Sequence, residues 1–207
     1  MVLSQFACTS LWFAGNAVLP DLQRELNLSV YSVSLVTSAV MLGFVTGTLV
    51  LALFAVTDRY SPVKLFFIHS IAGAITNAAI VWFAKDAGSL FLLRFLTGIC
   101  LAGIYPVGMK IAADWFDKNL GKSLGFLLGA LVLGTAFPHL LKSDQFQIAW
   151  RSVIYCTSIF TIMGACLMLF TIGDGPYRKK FGKLQWNAIG IVFRSVNWRR
   201  TAFGYFG

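Results

Sequence analysis

Charged residues are scarce in this 207-residue chain, where Asp, Glu, Lys and Arg together make up 12% of the sequence. Soluble domains contain roughly 25% charged residues. With 57% hydrophobic residues, the chain has too few polar side chains to cover the surface of a globular protein of this size. This balance excludes an ordinary soluble enzyme, a coiled coil and a disordered chain.

Sequence signatures of catalysis and of cofactor or metal binding are also missing. The four cysteines stand alone in apolar stretches, and no CxxC or Cys/His pair indicates a metal site or a disulfide framework. The sequence contains no HExxH motif, phosphate-binding loop or dinucleotide fingerprint. We therefore expect no enzymatic activity and no cofactor.

Long stretches without charge are abundant. A helix needs about 20 mostly apolar residues to cross a bilayer. Six such stretches predict six transmembrane helices, named spans 1 to 6, near residues 1–20, 33–57, 64–84, 89–112, 121–141 and 151–173. The sequence thus predicts an all-α integral membrane protein.

Basic residues are distributed unequally between the two sides of this predicted bundle. Twelve lie on the side that carries both termini, and four lie on the other side, namely Arg24, Lys85, Lys142 and Arg151. Cytoplasmic loops carry an excess of Lys and Arg. We therefore predict a multi-pass protein of the cell (inner) membrane with both termini in the cytoplasm. The same asymmetry accounts for the net charge of +9, so the expected partner is the lipid bilayer and not nucleic acid.

Two ten-residue stretches of the chain resemble each other. Residues 43–52 in span 2 and 125–134 in span 5 lie 82 positions apart and are identical at six of ten positions. Matching spans 1–3 with spans 4–6 gives two inverted three-helix repeats, an architecture common in secondary transporters. The alternative is a chance match between two helices rich in Gly and Leu.

Each of these stretches contains two glycines four residues apart, Gly43 with Gly47 and Gly125 with Gly129. Such a pair lets another helix backbone approach closely. The pairs therefore either pack helices within this bundle or form a surface on which a second bundle moves. We assign a helix-packing role to these four glycines and to two more in span 4, Gly98 and Gly103.

Two charged motifs resemble those of the major facilitator superfamily. The loop after span 2 contains Asp58 followed by Arg59, which matches part of the motif between the second and third helices of that family. Arg94 and Gly98 in span 4 have the spacing of the family's R-x-x-x-G motif. The resemblance implies a secondary active transporter, a permease that moves a small solute across the membrane by alternating access.

In that family the loop between helices 2 and 3 acts as a conformational latch. The resemblance therefore implies a latch role for Asp58, Arg59 and Lys64. A solvated loop that only obeys the charge rule for topology is the alternative. The glycines around Pro106 in span 4 predict a kink there, and we expect Pro106 to act as a hinge.

Helices 1 and 4 of the family line the central cavity, which makes Asn16, Arg94 and Tyr105 candidates for contact with the solute. A charge inside a span is costly unless it is paired or reaches water. Arg94 either extends to the outer end of span 4 or faces the bundle interior, and the small residues that follow it favour the interior. A buried cation at this position would suit an anionic solute.

The domain organisation follows from the same resemblance. We expect a six-helix bundle over residues 1–173, a basic cytoplasmic linker over 174–198 and the start of a truncated seventh helix over 199–207. The family has twelve helices, so a second six-helix half, missing from this chain, is the expected partner. The alternative is a stand-alone six-helix membrane protein that acts as a scaffold or as an integral-membrane enzyme.

Overall fold

The computed structural model describes residues 1–143, 146, 148–178 and 194–206, and the regular structure within them is helical. Span 1 consists of Val2–Thr9, Leu11–Ala17 and Leu19–Glu25, and span 2 is Val30–Leu53. Span 3 is Pro62–Ala78 with Ile80–Phe83, and span 4 is Ala87–Ala102 with Tyr105–Trp115. Span 5 is Leu120–Leu141 and span 6 is Trp150–Thr171. Two further helices, Val56–Arg59 and Val196–Phe206, lie outside the spans.

Spans 2 to 6 are each long and apolar enough to cross a membrane, and span 1 is the sixth when its bent segments are taken together. The predicted all-α, six-span architecture is confirmed. The division into bundle, linker and seventh helix stays a prediction, since residues 179–193 of the expected linker lie outside the described residues.

Capping side chains outside the apolar stretches determine where several spans begin. The Ser29 hydroxyl accepts a hydrogen bond from the Ser32 backbone N–H at 3.1 Å, at the start of span 2. The Asp86 carboxylate accepts one from the Ser89 N–H at 2.7 Å, at the start of span 4, and Ser89 bonds back to the Asp86 N–H. The hydrogen bond from the Ser89 backbone N–H lowers the pKa of the Asp86 carboxyl. Such caps satisfy N–H groups that the first helical turn leaves free.

Spans 1 and 4 are both interrupted near their middle. Span 4 breaks between Ala102 and Tyr105, because Pro106 has no N–H to donate to the Ala102 carbonyl. The Ile104 N–H bonds to the Leu101 carbonyl at 3.0 Å instead, in the tighter 3₁₀ pattern. The kink predicted around Pro106 is therefore present, while its use as a hinge stays a prediction. Span 1 bends by 40° at Val18, between the segments that end at Ala17 and begin at Leu19.

Packing between the spans follows a symmetric scheme. Span 2 packs on span 4 and span 5 packs on span 1, whereas span 3 contacts span 4 and span 6 contacts span 1. Spans 3 and 6 also pack on each other. Exchanging spans 1, 2 and 3 with spans 4, 5 and 6 leaves this scheme unchanged. The bundle is thus arranged as two three-helix units of equivalent packing.

The two glycine pairs have different surroundings. Gly43 and Gly47 are buried, and a methyl group on Gly43 would overlap the Phe95 carbonyl of span 4. Gly125 and Gly129 are exposed on span 5, with no neighbouring atom within 4 Å of the place a methyl group would take. Of the two roles that the sequence left open, packing within this bundle is observed for Gly43 and Gly47, whereas the face of span 5 that carries Gly125 and Gly129 has no helix against it among the described residues.

The alignment of the repeat at 82 positions is wrong, because it sets buried glycines on exposed ones. The buried residues of the two spans correspond at 91 positions instead, with Val36, Ala39, Gly43 and Gly47 matching Leu127, Ala130, Gly134 and Pro138. Gly134 takes the place of Gly43, since a methyl group on it would overlap Phe6 and Thr9 of span 1. The sequence match at 82 positions therefore reflects the shared Gly- and Leu-rich composition of the two helices and does not align their buried faces.

A buried amide joins spans 3 and 6. The Asn77 Nδ2 donates to the Ser158 hydroxyl at 2.9 Å, to the Thr157 hydroxyl at 3.2 Å and to the Ile154 carbonyl at 3.3 Å. Asn77 is fully buried. Because hydrocarbon offers a polar group no partner, this contact ties the two outer spans together.

The glycine surroundings predict opposite effects of one substitution at two similar sites. Gly43→Ala should lower the free energy of unfolding by about 1–3 kcal/mol, since the methyl group meets backbone of span 4 that cannot move aside cheaply. Gly125→Ala should be neutral or stabilising by up to about 1 kcal/mol, since alanine favours a helix. Thermal unfolding of this 207-residue chain alone, in detergent, measures both. Equal losses at the two sites would contradict the assignment.

Candidate functional site

Arg94 lies in the interior of the bundle, on the face of span 4 that meets span 1. Its side chain is 1% exposed. The guanidinium Nη2 donates to the Asn16 side-chain oxygen at 2.5 Å and to the Trp12 carbonyl at 3.3 Å. Among the described residues no carboxylate pairs with it, and its Nε and Nη1 have no hydrogen-bond partner. Of the two placements considered from the sequence, the interior one is observed.

A glycine in span 1 makes room for this guanidinium. A methyl group on Gly15 would lie 2.7–2.8 Å from the Nη1, Cδ and Cζ atoms of Arg94. That distance is shorter than real contacts between such atoms, so only glycine allows the helix backbone to approach the arginine this closely. Asn16 follows directly and supplies the acceptor. The Gly15–Asn16 pair thus forms the span 1 side of the site.

Tyr105 lies near the same place, at the start of the second segment of span 4. It is half-buried, and its ring meets the Trp12 ring edge-on with centroids 6.5 Å apart. Trp12 also packs on Phe44 of span 2 at 4.7 Å. Because the Trp12 carbonyl accepts from Arg94, the three cavity candidates Asn16, Arg94 and Tyr105 all lie along the contact between spans 1 and 4.

A second polar cluster lies at the end of the bundle that carries Met1, the loop between spans 2 and 3 and Trp115, here called the N-terminal face. The Lys110 ammonium pairs with Asp58 at 3.1 Å and lies 3.8 Å from Asp114. The proposed latch carboxylate therefore has a partner on span 4. Arg59 and Lys64 are exposed, and neither forms an ion pair within the described part of the chain.

The segment that follows span 6 completes this cluster. Arg178 pairs with Asp174 at 2.5 Å and donates to the Tyr60 carbonyl at 2.7 Å, while the Ser61 hydroxyl donates to Asp174 at 2.6 Å. The Trp115 indole N–H donates to the Gly173 carbonyl at 2.9 Å. Sequence reasoning missed this network. The available signal was the spacing of four residues in Lys110/Asp114, which places this pair on one turn of span 4. Asp174 and Arg178 have the same spacing but lie in the non-helical segment after span 6.

The opposite end of the bundle has its own ion pairs. Asp21 at the end of span 1 pairs with Lys142 at 2.8 Å, and Glu25 pairs with Arg151 at the start of span 6. The Trp150 indole N–H donates to the same Glu25 carboxylate at 2.9 Å. Span 1 is therefore held at this end by the connection between spans 5 and 6.

A bundle of apolar spans that buries a cation in its interior and carries ion pairs at both ends has the features of a multi-pass membrane protein. The family model of the Major Facilitator Superfamily matches residues 1–206. The chain therefore belongs to the Major Facilitator Superfamily.

Several curated relatives are named as transporters or pumps. The chain is 30% identical over 184 residues to "Efflux pump FUB11" of Gibberella moniliformis, covering 86% of this chain and 30% of that protein. It is 29% identical over 160 residues to "Puromycin resistance protein pur8" of Streptomyces alboniger, covering 74% and 31%. It is 26% identical over 192 residues to "High affinity nitrate transporter 2.7" of Arabidopsis thaliana, covering 84% and 37%. The chain spans about a third of the length of these relatives.

The surroundings of Arg94 predict an asymmetry between two substitutions. Asn16→Leu leaves a buried cation with one carbonyl partner and should lower the free energy of unfolding by about 1–3 kcal/mol or more. Arg94→Met removes the buried charge and should leave stability unchanged or higher. Thermal unfolding of the two variants in detergent gives the comparison. A larger loss for Arg94→Met would mean that the cation itself stabilises the bundle.

Proposed function

We propose that this chain is the N-terminal six-helix half of a secondary active transporter that moves a small, anionic solute by alternating access. The observation that carries the proposal is the buried Arg94 guanidinium, which has no counter-charge among the described residues and two N–H-bearing nitrogens without a partner. An ionisable side chain inside a span is expensive and marks a substrate or ion pathway. An anion that reached Arg94 would supply both the charge and the hydrogen-bond acceptors that it lacks.

The proposed solute class rests on Arg94 and not on the relatives. One relative is named for nitrate, which is an anion, whereas others are named for efflux or for puromycin resistance. Names this diverse support transport of a small molecule as the shared activity. Guanidinium groups bind carboxylate and phosphate in fork geometry, so carboxylates and phosphates join nitrate as the first solutes to test.

The exposed face of span 5 is the proposed contact with a second six-helix half. Gly125 and Gly129 border a shallow groove of about 400 Å³, with Val2, Leu3, Phe6, Phe126, Ala130 and Leu133 as its other walls. Two glycines one turn apart allow another helix to approach closely. The relatives are about three times as long as this chain, which leaves room for such a half.

The charged cluster of the N-terminal face is the proposed latch. Asp58 and Lys110 come from different spans and remain partly exposed, so their contact can be exchanged for contacts with a second half. A contact that exists in one conformation only shifts the equilibrium between conformations. In the proposed cycle this face is cytoplasmic, and the Asp58–Lys110 pair stabilises the conformation described here.

Transport measured in proteoliposomes tests the proposed role of Arg94. Radiolabelled nitrate, phosphate and small carboxylates are compared with neutral and cationic solutes of similar size, for the intact protein and for Arg94→Met. We expect transport of an anion that falls by about tenfold or more in Arg94→Met, because a lost charge-assisted hydrogen bond of 1.4 kcal/mol or more has that effect. Unchanged anion transport by a well-folded Arg94→Met protein would reject the proposal.

Cysteine labelling tests the proposed orientation. Lys118→Cys lies between spans 4 and 5 and Lys85→Cys lies between spans 3 and 4, and both positions are exposed. With the four native cysteines replaced, a membrane-impermeant thiol reagent added outside intact cells should label Lys85→Cys and leave Lys118→Cys unlabelled until the cells are broken. The reverse pattern would place the N-terminal face outside the cell.

A further inference from the structure

Several buried polar atoms without partners lie along the seam between spans 1 and 4. They are the two side-chain amide atoms of Gln5, the indole nitrogen of Trp12 and the Nε and Nη1 of Arg94. Gln5 is fully buried and Trp12 is 9% exposed. Native proteins leave few buried polar groups unsatisfied, and each one calls for an explanation.

Three residues of span 1 lie in one line along this seam, namely Gln5, Trp12 and Asn16, the partner of Arg94. Gln5, Trp12 and Asn16 are separated by seven and four residues, which keeps them on the same face of span 1. Gln5 is at the N-terminal face end of the line, against Gly108 of span 4, where a methyl group would overlap its amide oxygen. The next residue along the line is Trp12, whose ring contacts Tyr105, and the last is Asn16, which bonds to Arg94. The line therefore leads from near the N-terminal face to the buried cation.

The neighbouring seam between spans 1 and 6 differs in its hydrogen bonding. The Cys8 thiol donates to the Thr161 carbonyl at 3.5 Å, and the Thr161 hydroxyl donates to the Ala7 carbonyl at 3.3 Å. Span 1 is thus bonded to span 6 along this part of its length. Towards span 4, in contrast, the Gln5 amide lies against Gly108, and neither of its polar atoms has a hydrogen-bond partner.

The interruption of span 4 favours opening of the seam between spans 1 and 4 over opening of the seam between spans 1 and 6. The helix is interrupted between Ala102 and Tyr105, so a 3₁₀ turn replaces continuous α-helical hydrogen bonding between the segment Tyr105–Trp115 and the segment that holds Arg94. Separation of Tyr105–Trp115 from span 1 breaks no hydrogen bond of Gln5. It lets water or solute satisfy an amide that is unsatisfied in the closed seam.

We propose that the seam between spans 1 and 4 opens in a second conformation, and that Gln5 then lines an aqueous path from the N-terminal face to Arg94. The ligands of the Gln5 amide in that conformation are water and the hydrogen-bonding groups of the solute. This inference rests on the proposed alternating access and assigns to Gln5 a place on the path that the closed conformation hides.

Accessibility of a cysteine at position 5 tests the inference. Gln5→Cys is made in the intact protein with all four native cysteines replaced, and the control keeps native Cys8 as its single cysteine. Cys8 is also fully buried and lies one turn away, towards span 6. An impermeant thiol reagent is added on the side of the N-terminal face, and Lys118→Cys sets the rate for an exposed site.

We expect Gln5→Cys to react at about 0.1–10% of the Lys118→Cys rate, since minor conformations have populations of that order. Cys8 should react about tenfold more slowly than Gln5→Cys or not at all. Equal rates for the two cysteines would overturn the inference, because general breathing of the bundle would explain them. An unreactive Gln5→Cys in a protein that still transports solute would overturn it and leave the proposed function standing.

Gln5→Leu supplies a second readout that does not depend on labelling. Leucine has a similar size and no polar atoms, so it favours the closed seam. We expect a higher unfolding temperature together with transport reduced by about tenfold, the change that 1.4 kcal/mol of added preference for one conformation produces. A lower unfolding temperature, or unchanged transport, would show that Gln5 only fills space.

Discussion

The hydrogen bond from the Arg94 guanidinium to the Asn16 side chain joins the two interrupted helices around which the bundle is arranged. A membrane interior offers a cation neither water nor counter-ions, so the protein must supply every partner itself. Span 1 meets this demand only for Nη2, with one amide oxygen and one backbone carbonyl, and a glycine leaves room for the side chain. The partners hold the charge but do not neutralise it, which is the basis of the proposed role of Arg94 in binding an anion.

The N-terminal face shows how charged groups outside the apolar region organise the ends of the same helices. Asp58, Lys110 and Asp114 connect the loop between spans 2 and 3 with span 4. Arg178 and Asp174 connect that loop with the segment after span 6. Such partly exposed pairs contribute little to stability one by one. Their value lies in linking three parts of the chain that a change of conformation would move relative to one another.

The sequence was sufficient to predict the six spans, the interior position of Arg94 and the break near Pro106. Each of these depends on one strong preference: apolar length, the cost of a buried charge, or the missing N–H of proline. It was not sufficient for Gly125 and Gly129 or for Gln5. Lipid and protein neighbours are equally apolar, so a membrane helix does not display its buried face as a hydrophobic stripe. The register of the repeat and the polar seam are therefore properties of the packed bundle.

Asn77 enters the membrane with span 3, whereas the hydroxyl groups of Thr157 and Ser158 arrive with span 6, the last helix of the bundle. During synthesis the Asn77 amide therefore spends the insertion of spans 4 and 5 without these acceptors, in a medium that provides none. Span 6 thus supplies the hydrogen-bond acceptors that the Asn77 amide of span 3 lacks until then. The hydrogen bonds between this early helix and this late one can therefore form only after span 6 has been synthesised.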